Sequence, residues 1–300
     1  MHNIKTNFDK ILRKIKPFTQ NLVNQAGNVP RPGVKPKFSD VEVIALAITA
    51  EALSIDSENL LFHKIKTEYK NDFPTIISRR QFNDRRKNLQ QTMNQIRHNM
   101  AMRIDSAENY FVVDSKPLPV CRIARARRCK MGKRDADLTP NYGYCAAQAQ
   151  MYYGYKMHVT SGLRGVIHTF TISKASVADI NYVKDLRYEI SDCTVIGDRG
   201  YLGKAVQLDL FESTNIRLEV PYRRNQKDFQ PVFRPFAKAR KRIETTFSQL
   251  CDQFLMTRNY AKDFAGFSVR ILTKISAFTF LQYLNHIGNR PLSQTKYALI

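Results

Sequence analysis

Phe111-Val112-Val113-Asp114-Ser115 and Val195-Ile196-Gly197-Asp198-Arg199-Gly200-Tyr201 each close an apolar run on a lone Asp. Short β-branched runs bounded by turn residues read as buried strands. A third stretch, Arg240-Lys241-Arg242-Ile243-Glu244-Thr245-Thr246-Phe247, sets a lone Glu on an amphipathic helix inside a basic cluster. Singly, such acids have ordinary explanations. An Asp at a strand end caps a turn, and a Glu among arginines forms an i,i+4 ion pair. Arg240 and Glu244 have that spacing, beside an apolar stripe of Ile243, Phe247, Leu250 and Phe254. Three acids in compatible elements ask for a joint explanation.

The surrounding pattern supplies one. A β-rich run covers 110–113, and two more cover 152–160 and 166–173, joined by the turn Ser161-Gly162-Leu163-Arg164-Gly165. A helix-like segment follows at 177–190, then a strand at 194–197, a helix at 204–211 and a strand at 216–220. Long helices are expected over 235–257 and 269–286. Strands followed by alternating strand and helix imply an α/β sheet with helices over it. This is the element order of the ribonuclease H fold, a mixed sheet with flanking helices. It places Asp114 on the first, central strand, Asp198 at the end of the fourth, and Glu244 on the next long helix. Packing then gathers three acids distant in sequence. Gly197 and Gly200 allow a sharp turn around Asp198.

Residues 1–105 read as helical. Ile4, Phe8, Ile11, Leu12 and Ile15 recur at helical spacing, and three prolines with Gly33 mark a linker at 28–37. Ser39 with Glu42 forms a capping box, Ser57 with Glu58 opens another helix, Pro74 breaks the chain, and Ser78 starts a long basic helix. Short helices ending in a basic one suggest a helix-turn-helix-like DNA-binding unit. Phe82 and Leu89 would face its core, with Arg79, Arg80, Arg85, Arg86 and Lys87 outward. A solvated charged face is the plain alternative. The expected layout is an all-α region at 1–105, a catalytic domain at 106–290 with a basic insertion at about 116–150, and a tail at 291–300.

Lys and Arg number 48 against 26 Asp and Glu, a net +22 that favours a polyanion as partner. The five cysteines form no CxxC pair, which argues against a disulfide framework and a standard zinc site. No signal-peptide pattern opens the chain, and no apolar run reaches the roughly 20 residues of a membrane helix. A soluble, intracellular protein with no membrane partner is expected.

Asp, Asp and Glu in so basic a chain read as a site for two metal ions acting on nucleic acid. Mg²⁺ takes oxygen ligands and keeps waters, so a few carboxylates and a substrate phosphate suffice. Between the first two expected strands, Lys116, Arg122, Arg125, Arg127, Arg128, Lys130, Lys133 and Arg134 run with no acid among them. Such a segment tracks phosphates, unless it is a solvated loop. Lys156, Arg199, Arg240 and Lys241 are further candidates for DNA contact. His158 reads as a strand residue near the site or a satisfied core histidine.

With these residues in view, the chain resembles bacterial insertion-sequence DDE transposases, specifically the insertion-sequence 982 group. The similarity lies in Val113-Asp114-Ser115 with Pro117-Leu118-Pro119-Val120-Cys121, Arg125-Ala126-Arg127-Arg128-Cys129-Lys130 and Tyr142-Gly143-Tyr144-Cys145-Ala146-Ala147. It continues in Tyr153-Gly154-Tyr155-Lys156-Met157-His158, Gly197-Asp198-Arg199-Gly200-Tyr201 and Arg242-Ile243-Glu244-Thr245-Thr246-Phe247-Ser248-Gln249-Leu250. The resemblance implies a ribonuclease H-like core, two Mg²⁺ or Mn²⁺ ions on Asp114, Asp198 and Glu244, and movement of the element's own ends. It implies double-stranded DNA as partner, both transposon ends and target, a homodimer in a synaptic complex, and a bacterial cytoplasmic, nucleoid-associated location. Relatives often carry a Tyr, Arg, Glu, Lys pattern on the last helix. Arg240 and Glu244 fit it, while Ala237 and Cys251 stand at the Tyr and Lys positions. A metal-dependent endonuclease without strand transfer and a catalytically silent DNA-binding derivative are the alternatives.

Overall fold

A computed structural model describes residues 3–106, 108–133, 135–221 and 234–300. The helices are α1 (Ile4–Ile15), α2 (Asp40–Ala52), α3 (Glu58–Glu68), α4 (Arg79–Asn88), α5 (Gln90–Ile104), α6 (Asp179–Asp185), α7 (Lys204–Thr214), α8 (Arg234–Asp252) and α9 (Phe264–Ile287). The strands are β1 (Tyr110–Cys121), β2 (Asn141–Cys145), β3 (Gln150–Gly162), β4 (Ile167–Lys174), β5 (Thr194–Ile196) and β6 (Arg217–Glu219). Chain contacts divide them into two compact units. One comprises 1–104, 250–256 and 265–300, the other 105–249 and 257–264.

The first unit holds helices without strands among its described residues. Its helix starts follow the sequence signals. Asn3 caps α1, and Ser39 with Glu42 and Ser78 with Gln81 make reciprocal capping boxes at α2 and α4. Ile4, Phe8, Ile11 and Ile15 bury one stripe of α1, while Leu12 stays partly exposed. The long helix expected from Ser78 breaks at Leu89 into α4 and α5.

Two outward arginines are corrected here. Arg86 is buried and donates to Glu58 at 2.6 Å. Arg85 is half-buried and bonds the buried Asp40 and the Phe38 carbonyl. On a short helix packed against α2, a guanidinium on the inner face must find a carboxylate, because an unpaired buried charge is costly. Arg79 and Arg80 are exposed, with distant acid neighbours at 3.9 Å.

By chain contacts, α9 groups with the helical unit. Residues 265–300 join the helical unit, whereas the sequence assigned them to the catalytic domain as far as 290. The reason is long-range burial: Lys274 reaches Glu51 at 2.7 Å, and Arg270 reaches Glu58 and the Asp56 carbonyl. α9 also meets the length and composition of a membrane span, which the sequence reading denied to any segment. It is mostly buried within the protein, as a core helix is.

The second unit is a six-stranded sheet in the order β2-β3-β1-β5-β6, with β4 on the same edge of β3 as β2. β1 runs antiparallel to β3 and parallel to β5, and β5 runs parallel to β6. Phe111, Val113, Val195 and Leu218 pack with Tyr182, Val183, Leu186, Tyr201 and Leu210 in its core. The β3–β4 connection is a tight turn in which Gly165 adopts φ +80°. A side chain there would meet Arg242 Nε at 2.5 Å, so glycine admits α8 to the turn. Arg242 Nε then donates to the Arg164 carbonyl at 2.9 Å and fixes α8 over the hairpin.

β1 is much longer than the run at 110–113. It continues through Asp114 to Cys121, across Pro117 and Pro119. Beyond Val112 it pairs with β3 alone, so the prolines cost no bond on the other side. The insertion also carries structure: β2, and a 3₁₀ turn at Ile123–Arg128. Asp114 therefore sits mid-strand, and Asp198 follows the fifth strand rather than the fourth.

Candidate active site

Two acids are aligned by strand register. Val112 of β1 pairs with Ile196 of β5 in parallel. Asp114 and Asp198 each stand two residues beyond that pair, so the chain delivers them to the same end of neighbouring strands. Ser115 N–H donates to the Asp114 carboxylate at 2.7 Å. Gly200 N–H donates to Asp198 Oδ1 at 2.7 Å, closing a one-turn 3₁₀ helix over Arg199–Tyr201.

Asp114 is an uncomfortable carboxylate. Burial pushes its pKa up to about 6, with Asp198 and Asp179 adding to the rise and the Ser115 N–H and Arg240 opposing it. One unit of pKa is about 1.4 kcal/mol, so the charged form is held against a real cost. Glu244 reaches the site from α8. It is exposed, 3.9 Å from Arg240, and lines a cavity of about 580 Å³ with Asp198, Arg199, Pro221, Ala237, Arg240 and Lys241. Asp198 and Glu244 thus line one cavity, and Asp114 is not among its lining residues. Arg240 acts on both Asp114 and Glu244.

Asp179, the first residue of α6, escaped the sequence reading. Its Oδ1 accepts from Lys156 Nζ at 2.9 Å. Lys156 also bonds the Val177 carbonyl, so its ammonium faces the acids. His158 is buried, stacks on Tyr182 and contacts Ser173 Oγ through Nε2. Its Nδ1 lies 3.8 Å from Asp179, yet burial lowers its pKa to about 4, and Lys156 takes up the Asp179 charge, so the ring is neutral. Nothing in the local sequence marks Asp179; its place depends on where α6 meets the strand ends.

Gly200 turns out to serve space rather than backbone freedom. Neither it nor Gly197 has a positive φ. A Cβ on Gly200 would stand 2.9 Å from Asp198 Oδ1 and 3.3 Å from Asp179 Oδ2.

The basic candidates divide. Arg199, Arg240 and Lys241 line the cavity of Asp198 and Glu244. Arg122, Arg125, Arg127, Arg128, Lys130 and Lys133 are exposed on the insertion; Arg134 lies outside the described residues. Lys116 is half-buried and borders a second cavity of about 560 Å³. All five cysteines are free thiols.

Among the described residues, no group of three or more His, Cys, Asp or Glu side chains is drawn tightly enough to hold a metal ion. The donor chemistry nonetheless suits a divalent cation. Asp114, Asp179 and Asp198 act on one another as hard, anionic oxygen donors. The hydroxyl of fully buried Tyr201 has no hydrogen-bond partner, and these same three acids raise its pKa further after burial.

A family profile described as the transposase DDE domain matches residues 105–280. The chain belongs to the DDE transposase family. Its function is therefore transposition, a form of DNA recombination, and the family acts on DNA and generally uses divalent metal ions. No curated protein and no solved structure matches the chain.

Proposed function

We propose that this transposase serves a bacterial insertion sequence of the 982 group, binding the element's terminal inverted repeats and joining cut ends to target DNA. The observation that carries the reading is the parallel-register placement of Asp114 and Asp198, with Glu244 lining the same cavity as Asp198. The sheet order, with three antiparallel strands followed by two parallel to the first, supports a ribonuclease H-like core.

In this reading Asp114, Asp198 and Glu244 hold two Mg²⁺ or Mn²⁺ ions. When bound, such ions activate an attacking oxygen and stabilise a leaving one. The chain's own groups do the rest. Arg199, Arg240 and Lys241 draw the DNA backbone to the cavity by charge-assisted hydrogen bonds. Arg240 is only loosely paired with Glu244, at 3.9 Å, and would be free to bind phosphate were Glu244 to hold a cation. The exposed arginines of the insertion and Arg79 and Arg80 of α4 hold flanking duplex. Arg86, being buried, is left out of that surface, and Arg85 contributes only its field. Two ends must be handled together, so a homodimer in a synaptic complex, working in the cytoplasm on the nucleoid, follows from the same reading.

One site serves both water and a 3′-hydroxyl, because each attacks in line with a leaving oxygen. Substrate positioning selects between them. The test supplies a pre-cut transposon end with a 3′-hydroxyl, plasmid DNA and Mg²⁺ or Mn²⁺. Joined product is expected. Robust end cleavage without joined product would favour an endonuclease, and binding without either would favour a silent derivative.

A further inference from the structure

We propose that Asp179 is a fourth carboxylate of the acid site, offering Oδ2 to a divalent cation while Lys156 holds Oδ1. The inference rests on the metal-dependent reading above and adds a residue to it.

Two observations converge. First, the two oxygens of Asp179 are in different situations. Oδ1 is tied to Lys156 Nζ at 2.9 Å, and that ammonium is anchored at 3.0 Å on the Val177 carbonyl. Oδ2 instead faces the empty side-chain position of Gly200, 3.3 Å from where a Cβ would stand. Asp198 Oδ1 faces the same position at 2.9 Å. Both carboxylates therefore border the space that a side chain on residue 200 would fill, and glycine keeps it open.

Second, Tyr201 contributes a fully buried hydroxyl with no hydrogen-bond partner. Asp179, Asp114 and Asp198 are, in that order, its strongest charged neighbours. A buried hydroxyl left unpaired is costly, and a hydrated cation among these acids would offer it a partner.

A purely structural Asp179 would explain its ion pair with Lys156 and its place in the first turn of α6. It would not explain why Oδ2 borders the same space as a second carboxylate.

The experiment is Mn²⁺ binding by the full chain without DNA, read by calorimetry and by the spin signal of free Mn²⁺, with circular dichroism as a control for folding. Asp179→Asn is expected to weaken Mn²⁺ binding about tenfold or more. Gly200→Ala removes no charge but fills the gap, and should weaken binding as well. Asp114→Asn serves as the reference for the site. If Asp114→Asn loses Mn²⁺ while Asp179→Asn and Gly200→Ala bind it as the unaltered protein does, Asp179 is structural and the inference falls alone. If the unaltered protein binds no Mn²⁺, the metal reading falls and takes the inference with it. Should Asp179→Asn fail to fold, the Gly200→Ala result decides.

Discussion

Asp114 on β1 and Asp198 just beyond the end of β5 stand at matching positions, each two residues past the parallel Val112–Ile196 pair. Burial, with the neighbouring Asp198 charge adding to it, raises the pKa of Asp114 to about 6. A fold that held them for structure alone would gain nothing from this arrangement. Reading them as cation ligands makes the unfavourable pairing useful, and it leads to tests that separate charge from shape.

Asp114→Asn, Asp198→Asn and Glu244→Gln should each abolish Mg²⁺-dependent cleavage of end DNA while leaving DNA affinity within a few-fold. Each change removes a cation ligand and no phosphate-binding group. Cleavage gels and a gel-shift titration read the two effects separately. A variant that still cleaves at full rate takes its residue out of the site.

The raised pKa of Asp114 has a stability consequence in the metal-free protein. Its folded pKa of about 6 lies above the usual 3.8. The folded state therefore binds its proton more readily than the unfolded chain, and the ionised group costs stability once the pH exceeds about 6. That cost fades as pH falls from 6 towards 4 and is absent below. Asp114→Asn should accordingly stabilise the metal-free protein at pH 8 by roughly 2–3 kcal/mol, with the gain shrinking towards pH 4. Thermal unfolding across that range is the measurement. A gain independent of pH would mean the carboxylate is not under this strain.

Replacing Arg125, Arg127, Arg128 and Lys130 with Ala should weaken binding to all duplexes alike. The slope of log affinity against log salt should drop by roughly 0.9 for each phosphate that the variant no longer neutralises. All four side chains are exposed and available to phosphates. An unchanged slope would make the segment a solvated loop.

Arg86→Ala should act in the opposite way. It leaves Glu58 short of its closest partner, 2.6 Å away, and breaking a buried pair from one side costs about 3–5 kcal/mol. Urea unfolding should register that destabilisation, partly offset because Arg270 also reaches Glu58 at 3.4 Å. The salt slope of DNA binding should not move. A lowered slope would return Arg86 to the DNA surface.

Much of this could be read along the chain because it depends on neighbours in sequence. The caps at Ser39, Ser57 and Ser78 act within three residues, and the β3–β4 turn is written in Gly162 to Gly165. The apolar runs before Asp114 and Asp198 mark their strands for the same reason. The length of β1 was hidden because prolines normally end a strand, and only its one-sided pairing past Val112 excuses Pro117 and Pro119.

The sequence by itself determined the local elements and the basic character, and it singled out Asp114, Asp198 and Glu244 as candidates for chemistry. Those signals are short-range, carried by periodicity, capping and charge. Tertiary structure alone decided which charges are spent inside the fold. Arg86 goes to Glu58, Arg85 to Asp40 and Lys156 to Asp179, because a charge taken out of water must be paired whereas one on the surface is solvated. It also decided that α9 groups with the helical unit and that Asp179 and Asp198 border the same space beside Gly200. Residues far apart in sequence meet only when the sheet and its helices pack, and no local pattern records which of them will.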